Sequence, residues 1–231
     1  MTTRVVPLFV GDFLGQPGMP LLDGQRIVVI AYVVERADIT LLFDTGIAPH
    51  LAPEDEATYR FERWPVVAAL ESAGIAPSRI EVIVNCHLHA DHAGGNDVFR
   101  GRPIWVQRAD LEAATEPGFT EPVAADLADG TFNVIDGPAE IAEGLAILPI
   151  PGHTPGHQSL VVAGDEGPIV LLGQAFRTAS EYGLALRARE RRLAGMPAAP
   201  YPPWVDDVAA LNPLSVRLAH DYASWRRGET S

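Results

Sequence analysis

The chain has 231 residues, and its 30 acidic and 17 basic side chains give a formal net charge of −13. Because 47% of the residues are hydrophobic, the chain can build a sizeable core, which excludes the disordered and low-complexity classes. Nucleic acid is excluded as a partner, since so acidic a surface repels a phosphate backbone. We expect one domain over residues 1–231.

The longest uninterrupted apolar run, Ile27–Val34, is too short to span a bilayer. A basic region followed by an apolar one does not open the chain, so we expect neither membrane association nor a signal peptide. Cys86 is the one cysteine and cannot form an internal disulfide, which suits a reducing compartment. The composition therefore predicts a cytoplasmic protein.

The first half of the chain predicts strands that alternate with a helix. Runs rich in Val, Ile and Leu predict strands at Arg26–Glu35 and Ile39–Phe43. Apolar residues at helical spacing predict a helix from about Thr58 to Ser72. Ile80–Val84 is nearly all apolar, which indicates a strand buried on both faces in the middle of a sheet.

The second half repeats this alternation. It predicts strands at Ile104–Gln107, near Thr131–Ile135 and at Leu145–Pro149, a helix at Ala109–Ala114, and a hairpin with arms Gln158–Ala163 and Pro168–Leu172. Residues 176–205 contain Arg-rich helical sequence, Gly195 and a Pro-rich stretch, and we expect an irregular lid there. Two rounds of strands and helices indicate a layered α/β domain with two sheets inside and helices outside.

Four metal-ligating side chains lie within six residues, directly after the buried strand that ends at Val84. These are His87, His89, Asp91 and His92. On a continuing strand, residues 87, 89 and 91 would point to one side. Neutral imidazole and carboxylate suit Zn²⁺ and related dications, and such a spacing can serve two metals.

Two further histidines lie in suitable contexts. His153 is held in the Gly- and Pro-rich turn 151–157, and His220 follows an apolar segment near the C-terminus. Together with Asp44-Thr45-Gly46 and Ala93-Gly94-Gly95, these motifs resemble the metallo-β-lactamase superfamily of metal-dependent hydrolases, in that family's order. The resemblance covers roughly residues 25–225.

The resemblance implies a four-layer αβ/βα sandwich with the metals between two sheet edges. It implies that His87, His89 and His153 hold a first ion, and that Asp91, His92 and His220 hold a second. The expected cofactor is Zn²⁺, as one or two ions, with Mn²⁺ and Fe²⁺ as alternatives.

One position departs from the family pattern. Gln174 follows the strand after the His153 hairpin, where the family has an aspartate that bridges the two metals. An amide oxygen can coordinate but carries no charge, so the site loses about one negative charge against two dications. A two-metal site with a weak second ion, a one-metal enzyme and a decayed site all stay open.

The run 152–160 and the pair His220-Asp221 resemble the N-acyl homoserine lactonase-like branch. The implied reaction is attack by metal-bound hydroxide on the carbonyl of a small lactone or ester, including an anionic one. A thioesterase of the glyoxalase II type and a non-hydrolytic or non-catalytic metal-binding member are the alternatives. The sequence leaves a homodimer open.

The candidate catalytic residues are Asp91, Arg177 and Tyr182. Asp91 is placed to pass protons as well as bind metal. Arg177 stands where the branch has a tyrosine that contacts the substrate carbonyl, and either a substrate contact or a solvated basic stretch fits it. Tyr182 is the candidate to supply the missing hydroxyl.

Three further residues or segments have weaker assignments. His157 is either a support for the metal ligands or a packed strand residue. Cys86 is expected to be a buried structural thiol whose side chain points away from that of His87. Apolar residues of the N-terminal loop are candidates for an acyl pocket, namely Phe13, Leu14, Met19 and Pro20.

Overall fold

The computed structural model describes residues 3–16, 23–116, 119 and 132–228. A seven-stranded sheet has the order β4-β1-β2-β3-β5-β6-β7. Its strands are β1 (Arg4–Leu14), β2 (Arg26–Glu35), β3 (Thr40–Phe43), β4 (Glu62–Arg63), β5 (Val82–Val84), β6 (Ile104–Gln107) and β7 (Phe132–Ile135). Strands β3, β5, β6 and β7 pair in parallel, so their carboxyl ends meet at one edge.

A second sheet of six strands has the order β13-β12-β11-β10-β9-β8. Its strands are β8 (Ala139–Ala142), β9 (Leu145–Pro149), β10 (Gln158–Val162), β11 (Ile169–Leu171), β12 (Ser215–Arg217) and β13 (Trp225–Arg226). The predicted hairpin of β10 and β11 is confirmed as an antiparallel pair, whereas β11 and β12 pair in parallel.

Among the described residues, five α-helices lie outside the sheets. They are α1 (Pro53–Tyr59), α2 (Val66–Ser72), α3 (Arg108–Ala113), α4 (Ala179–Leu193) and α5 (Trp204–Ala210), and short 3-10 turns cover Pro77–Arg79 and Asn96–Phe99. Within the described ranges, none of the helices combines the length and apolar character that crossing a membrane requires.

Three apolar clusters separate four layers. The central one joins side chains of both sheets, such as Phe43 and Val84 from one and Leu160 and Leu171 from the other. One outer cluster packs α2 on the first sheet, and the other packs α4 and α5 on the second. The layers run helix, sheet, sheet, helix, which confirms the expected αβ/βα sandwich.

The buried side chain of Gln158 joins the two sheets. Its Nε2 donates to the carbonyl oxygens of Asn85 and Trp105 at 2.8 and 3.0 Å, and its Oε1 accepts from Gln107 Nε2 at 3.0 Å. Its backbone N–H donates to Cys86 O at 2.8 Å. A buried amide with every partner supplied fixes β10 against the ends of β5 and β6.

The expected helix from about Thr58 to Ser72 is wrong in its first half. Helix α1 ends at Tyr59, because Arg60 has a left-handed conformation, and α2 begins only at Val66, after β4.

The Arg-rich helical sequence within 176–205 forms the 15-residue helix α4, which starts at a capping box formed by Thr178 and Glu181. Strand β1 was not predicted, and it contains Phe13 and Leu14, which were expected in a loop.

Two glycine substitutions separate close packing from helix propensity. A Cβ on Gly94 would lie 1.9 Å from Ala48 N, so Gly94→Ala should destabilise the fold by at least about 1–3 kcal/mol. A Cβ on Gly183, inside α4, would lie 3.8 Å from its nearest neighbour, an atom of Trp225, which is an ordinary contact distance. Gly183→Ala should therefore stabilise the protein by about 0.5–1 kcal/mol. Urea unfolding of the metal-free proteins measures both, and equal shifts would contradict the packing assignment.

Candidate metal centre

The side chains of the histidine motif follow β5 at the edge where the parallel strands end. Strand β5 stops at Val84, and residues 85–92 continue as loop and turn rather than as a strand. The second sheet faces this edge with the loop between β9 and β10, which carries His153, and with Gln174 and His220 after β11 and β12. The centre therefore lies between the two sheets.

Three imidazoles converge as the resemblance implies for a first metal. His87 Nε2 lies 2.9 Å from His89 Nδ1, and His89 Nδ1 lies 3.2 Å from His153 Nε2. These nitrogens lie within 4.8 Å of one another. Nitrogen atoms aimed at one point fit a bound dication.

A second group lies beside the first. Asp91 Oδ2 is 3.3 Å from His92 Nε2 and 3.6 Å from His220 Nε2. His220 Nδ1 lies 2.7 Å from Val28 O, which leaves Nε2 buried and, among the described residues, without a hydrogen-bond partner. A buried ring nitrogen with its lone pair aimed at a carboxylate fits metal ligation better than packing.

Gln174 lies beside the second group and lines the same cavity as His89, Asp91 and His153. Its Oε1 lies 3.0 Å from His92 Nε2, so the amide oxygen faces the ligands. Its backbone N–H donates to His157 Nε2 at 3.2 Å. The amide oxygen is thus placed to coordinate a metal, but the site holds one carboxylate, Asp91, where the family pattern has two.

Burial keeps most of these imidazoles neutral. It lowers the pKa of His87, and it lowers the pKa values of His153 and His220 to about 3 and about 4. Neutral imidazole is the form that binds metal. Burial raises the pKa of Asp91, but His92 and His220 lower that pKa by more than burial raises it. Asp91 is therefore an ionised carboxylate.

His92 has the opposite electrostatic environment. Its burial lowers the pKa, but Asp91, Cys86 and Asp44 outweigh that effect and raise it well above the ordinary value. The acids around His92 thus favour a positive charge at this position. A dication between Asp91 and His92 would supply that charge.

Asp44 and Cys86 contact two of the candidate ligands, His87 and His92. Asp44, at a left-handed φ of 66°, accepts the N–H of Cys86 at 2.7 Å and lies 3.0 Å from His92 Nδ1. This contact leaves His92 Nε2 facing the site. Cys86 is buried, as expected for a structural thiol.

The predicted direction of the Cys86 side chain is wrong. Its Sγ lies 3.1 Å from His87 Nδ1 and 3.4 Å from His92 Nδ1, so it points toward the same histidines rather than away from them. The reason is that strand alternation ends at Val84 and does not govern residues 86 and 87.

His157 supports the centre. Its ring stacks on that of His87 with centroids 5.2 Å apart, and its Nε2 holds the backbone of Gln174.

Asp110 was missed by the sequence reasoning. Its carboxylate accepts the N–H of Leu88 at 2.7 Å and the N–H of Gly156 at 3.2 Å. Leu88 lies between the candidate ligands His87 and His89, in the loop after β5. Gly156 lies in the loop of His153, which belongs to the second sheet. One buried side chain therefore joins the loops of both sheets. Nothing in the sequence distinguishes Asp110 from the other 29 acids.

The structure separates the two candidate substrate contacts. Arg177 is half-buried beside Gln174 and His153 and lines a cavity. Tyr182 belongs to α4 and is fully buried, and its ring centroid lies 5.6 Å from that of Trp225. It does not line either cavity described below, so the structure does not bring it to the ligands.

Two cavities meet at His153 and Gln174. The first, the aromatic lobe, has a volume of about 470 Å³ and is lined by Phe13, Tyr59, Phe61 and Phe119, with Glu54 and Asp55. The second, the α4 lobe, has a volume of about 480 Å³ and is lined by Phe176, Arg177, Glu181, Ala185, Ala188 and Tyr201.

Of the residues suggested for an acyl pocket, Phe13 lines the aromatic lobe and packs edge-on against His220, whereas Met19 and Pro20 lie outside the described residues.

Comparison with known proteins agrees with this architecture. The family model of the metallo-β-lactamase superfamily matches residues 24–226. An N-acyl homoserine lactonase of Bacillus sp. is 34% identical over 177 residues, which cover 70% of this chain and 68% of the relative. The lactonase of Bacillus cereus is 34% identical over 161 residues, or 64% of this chain and 63% of the relative's length.

Solved structures extend the match to almost the whole chain. Bacillus thuringiensis AiiA, with N-decanoyl-L-homoserine bound at its active site, has a TM-score of 0.73 at 25% identity and covers 96% of this chain and 95% of its own. An N-acyl homoserine lactone hydrolase, with N-hexanoyl-L-homoserine at its catalytic metal centre, has a TM-score of 0.71 at 25% identity. The match covers 95% of this chain and 93% of that chain.

The chain belongs to the metallo-β-lactamase superfamily. Within that family it is a metal-dependent hydrolase of the lactonase-like branch, which confirms the resemblance drawn from the motifs.

The charge lost at Gln174 can be restored by substitution. Gln174→Asp places a carboxylate beside the second ligand group and should raise the bound metal toward two ions per chain, since an anion offsets the second dication. Elemental analysis after equilibration with Zn²⁺ in excess over both sites, and removal of unbound metal, measures this. Gln25→Asp adds the same charge at an exposed position and should change nothing; an equal gain there, or no gain at Gln174, contradicts the prediction.

Asp110 offers a test of how the two ligand loops are held. Asp110→Asn replaces an acceptor oxygen by an amide that cannot accept both N–H groups, and we expect about a tenfold or greater loss of metal affinity. The matched control is Asp207→Asn on the exposed side of α5. Competition with a chelating dye measures the affinity. Unchanged affinity would show that the loops are fixed without Asp110.

Proposed function

We propose that the protein hydrolyses small lactones and related esters with zinc held by the histidine cluster. The observation that carries this proposal is the convergence of His87 Nε2, His89 Nδ1 and His153 Nε2, at 2.9 and 3.2 Å, where two substrate-sized cavities meet. A cluster of neutral imidazoles open to a cleft is the arrangement that a catalytic dication requires.

The donor set assigns two groups of ligands. His87, His89 and His153 would hold one ion, and Asp91, His92 and His220 would hold another, with the amide oxygen of Gln174 beside the second group. A bound dication lowers the pKa of water toward neutrality and polarises a carbonyl oxygen. Asp91 stays ionised in its setting, so its carboxylate can accept a proton from the attacking water and return it to the leaving oxygen.

The aromatic lobe supplies a binding surface for an uncharged apolar part of the substrate. Phe13, Tyr59 and Phe61 form a packed aromatic wall, with ring centroids 5.4 to 6.0 Å apart. This wall reaches His89 and Asp91 in the same cavity. An apolar chain in this lobe would remove water from the cluster and hold the carbonyl next to Gln174.

The relatives support lactones as the first substrates to test. Both curated relatives described above are N-acyl homoserine lactonases, and both solved relatives hold the ring-opened N-acyl homoserine. The part of the site that differs is the pair Gln174 and Arg177. We therefore propose lactones as the substrate class, and an acyl homoserine lactone is one of the substrates to test.

Chelation and one substitution test this function. The protein, isolated with about one or more equivalents of metal, should hydrolyse N-hexanoyl homoserine lactone, δ-valerolactone or para-nitrophenyl hexanoate. A chelator should abolish the activity and Zn²⁺ should restore it. His89→Ala removes a ligand from a half-buried position and should abolish turnover while the far-UV spectrum stays native.

The matched control is His50→Ala, which removes an exposed imidazole and should keep full activity. Activity that survives chelation would overturn the proposal. Faster hydrolysis of an acyl thioester than of every lactone and ester would assign a thioesterase instead. A metal-loaded protein that turns over none of these substrates would be a non-hydrolytic member of the family.

A further inference from the structure

The α4 lobe has one feature that the proposed reaction does not use. Arg177 lies on its wall, in the same cavity as His153 and Gln174. Its guanidinium forms no hydrogen bond or ion pair with any residue that the structure describes, although the side chain is half-buried. A partly desolvated cation without a partner beside a substrate cleft favours an anion in that cleft.

The backbone that carries Arg177 is fixed on both sides. Glu181 Oε2 accepts the N–H of Arg177 at 2.7 Å and that of Thr178 at 3.4 Å. One residue further, the N–H of Ala179 donates to Asp221 Oδ2 at 2.9 Å, next to the ligand His220. Arg177 is thus presented from a capped helix start rather than from a loose basic stretch.

The nearby carboxylate of Glu181 does not neutralise the guanidinium. Glu181 lines the same lobe, but it forms no ion pair with Arg177 within the described ranges. Its Oε2 instead accepts the backbone N–H groups of Arg177 and Thr178. Asp221 is likewise engaged by the N–H groups of Ala179 and Ala223.

The two lobes differ in charge. Glu54, Asp55 and Asp91 line the aromatic lobe, which contains no Lys or Arg side chain among its described lining residues. The described lining of the α4 lobe contains one Arg, Arg177, and one acid, Glu181, whose carboxylate accepts two backbone N–H groups. An anionic group on a bound substrate is therefore repelled from the aromatic lobe and attracted to the α4 lobe.

The rest of the α4 lobe suits a short carbon chain. Phe176, Ala185, Ala188 and Tyr201 give it an apolar lining in the same cavity as Arg177 and Gln174. A ligand that places its reacting carbonyl at Gln174 and extends along this lining would bring its far end into the cavity that Arg177 lines.

We propose that Arg177 selects substrates that carry a carboxylate on the part bound in the α4 lobe. This rests on the proposed function, because it assumes that the carbonyl is hydrolysed at the histidine cluster. The ligand class is a small lactone or ester with an ionised carboxylate a few carbon atoms from the scissile carbonyl. The guanidinium binds that carboxylate and orients the substrate.

Two esters of equal chain length test the proposal. Para-nitrophenyl hexanoate is neutral, and mono-para-nitrophenyl adipate ends in a carboxylate. The zinc-loaded wild type should favour the adipate ester in kcat/KM. Arg177→Gln should lower the ratio of adipate to hexanoate kcat/KM by about tenfold or more, mainly through KM for the adipate ester. Arg177→Glu should lower the ratio further.

The matched control is Arg187→Gln, which removes the same charge from the exposed side of α4. This variant should keep the wild-type ratio. Equal losses for both esters in Arg177→Gln would overturn the proposal and assign Arg177 to the carbonyl that the two substrates share. A wild type without preference for the adipate ester would overturn it as well.

Binding separates this proposal from the proposed function. If the zinc-loaded protein hydrolyses neither these esters nor the lactones, the proposed function fails. In that case, and also if only lactones react, calorimetric titration with adipic acid monoanilide and hexananilide decides the role of Arg177. Tighter binding of the monoanilide, reduced about tenfold in Arg177→Gln and kept in Arg187→Gln, supports a carboxylate site. Equal loss in both variants, or no loss, overturns it.

Discussion

The metal centre depends on the fixed position of one sheet against the other, and the buried amide of Gln158 makes the polar contacts that set this position at the ends of β5 and β6. Gln158 belongs to β10, yet its hydrogen bonds go to Asn85, Cys86, Trp105 and Gln107 at the ends of β5 and β6. The apolar cluster between the sheets supplies non-directional attraction, whereas these bonds are directional. They place the loop of His153 opposite the motif that begins at His87.

The electrostatics of the centre differ from those of the whole chain. The net charge of −13 belongs mostly to the outer surface. Inside the cleft, burial keeps His87, His153 and His220 neutral, and Asp91 is the one ligating carboxylate. Gln174 replaces an anion of the family pattern, and Arg177 adds a cation three residues later. Both changes lie in the loop after β11, so they make the same side of the cleft more positive.

The sequence could single out the candidate ligands because their signal is local. His87, His89, Asp91 and His92 lie within six residues, and such a spacing is rare without a metal. Supporting residues have no such signal. Asp110 contacts backbone groups 22 and 46 residues away, and any acid on a short helix looks the same in one dimension. Cys86 was oriented by strand alternation in a segment that is no longer a strand. Tyr182 was judged by its type, although α4 buries it.

By itself, the sequence determined the layered α/β class, the family, the amide at position 174 and the candidate ligands, because each is written in residue types at short spacing. Tertiary structure alone decided which side chains share the cleft. It brought His153 within 3.2 Å of His89, buried Tyr182, and left the Arg177 guanidinium without a hydrogen bond or ion pair to any described residue. Those outcomes depend on how two sheets pack, and packing joins residues whose separation along the chain carries no local pattern.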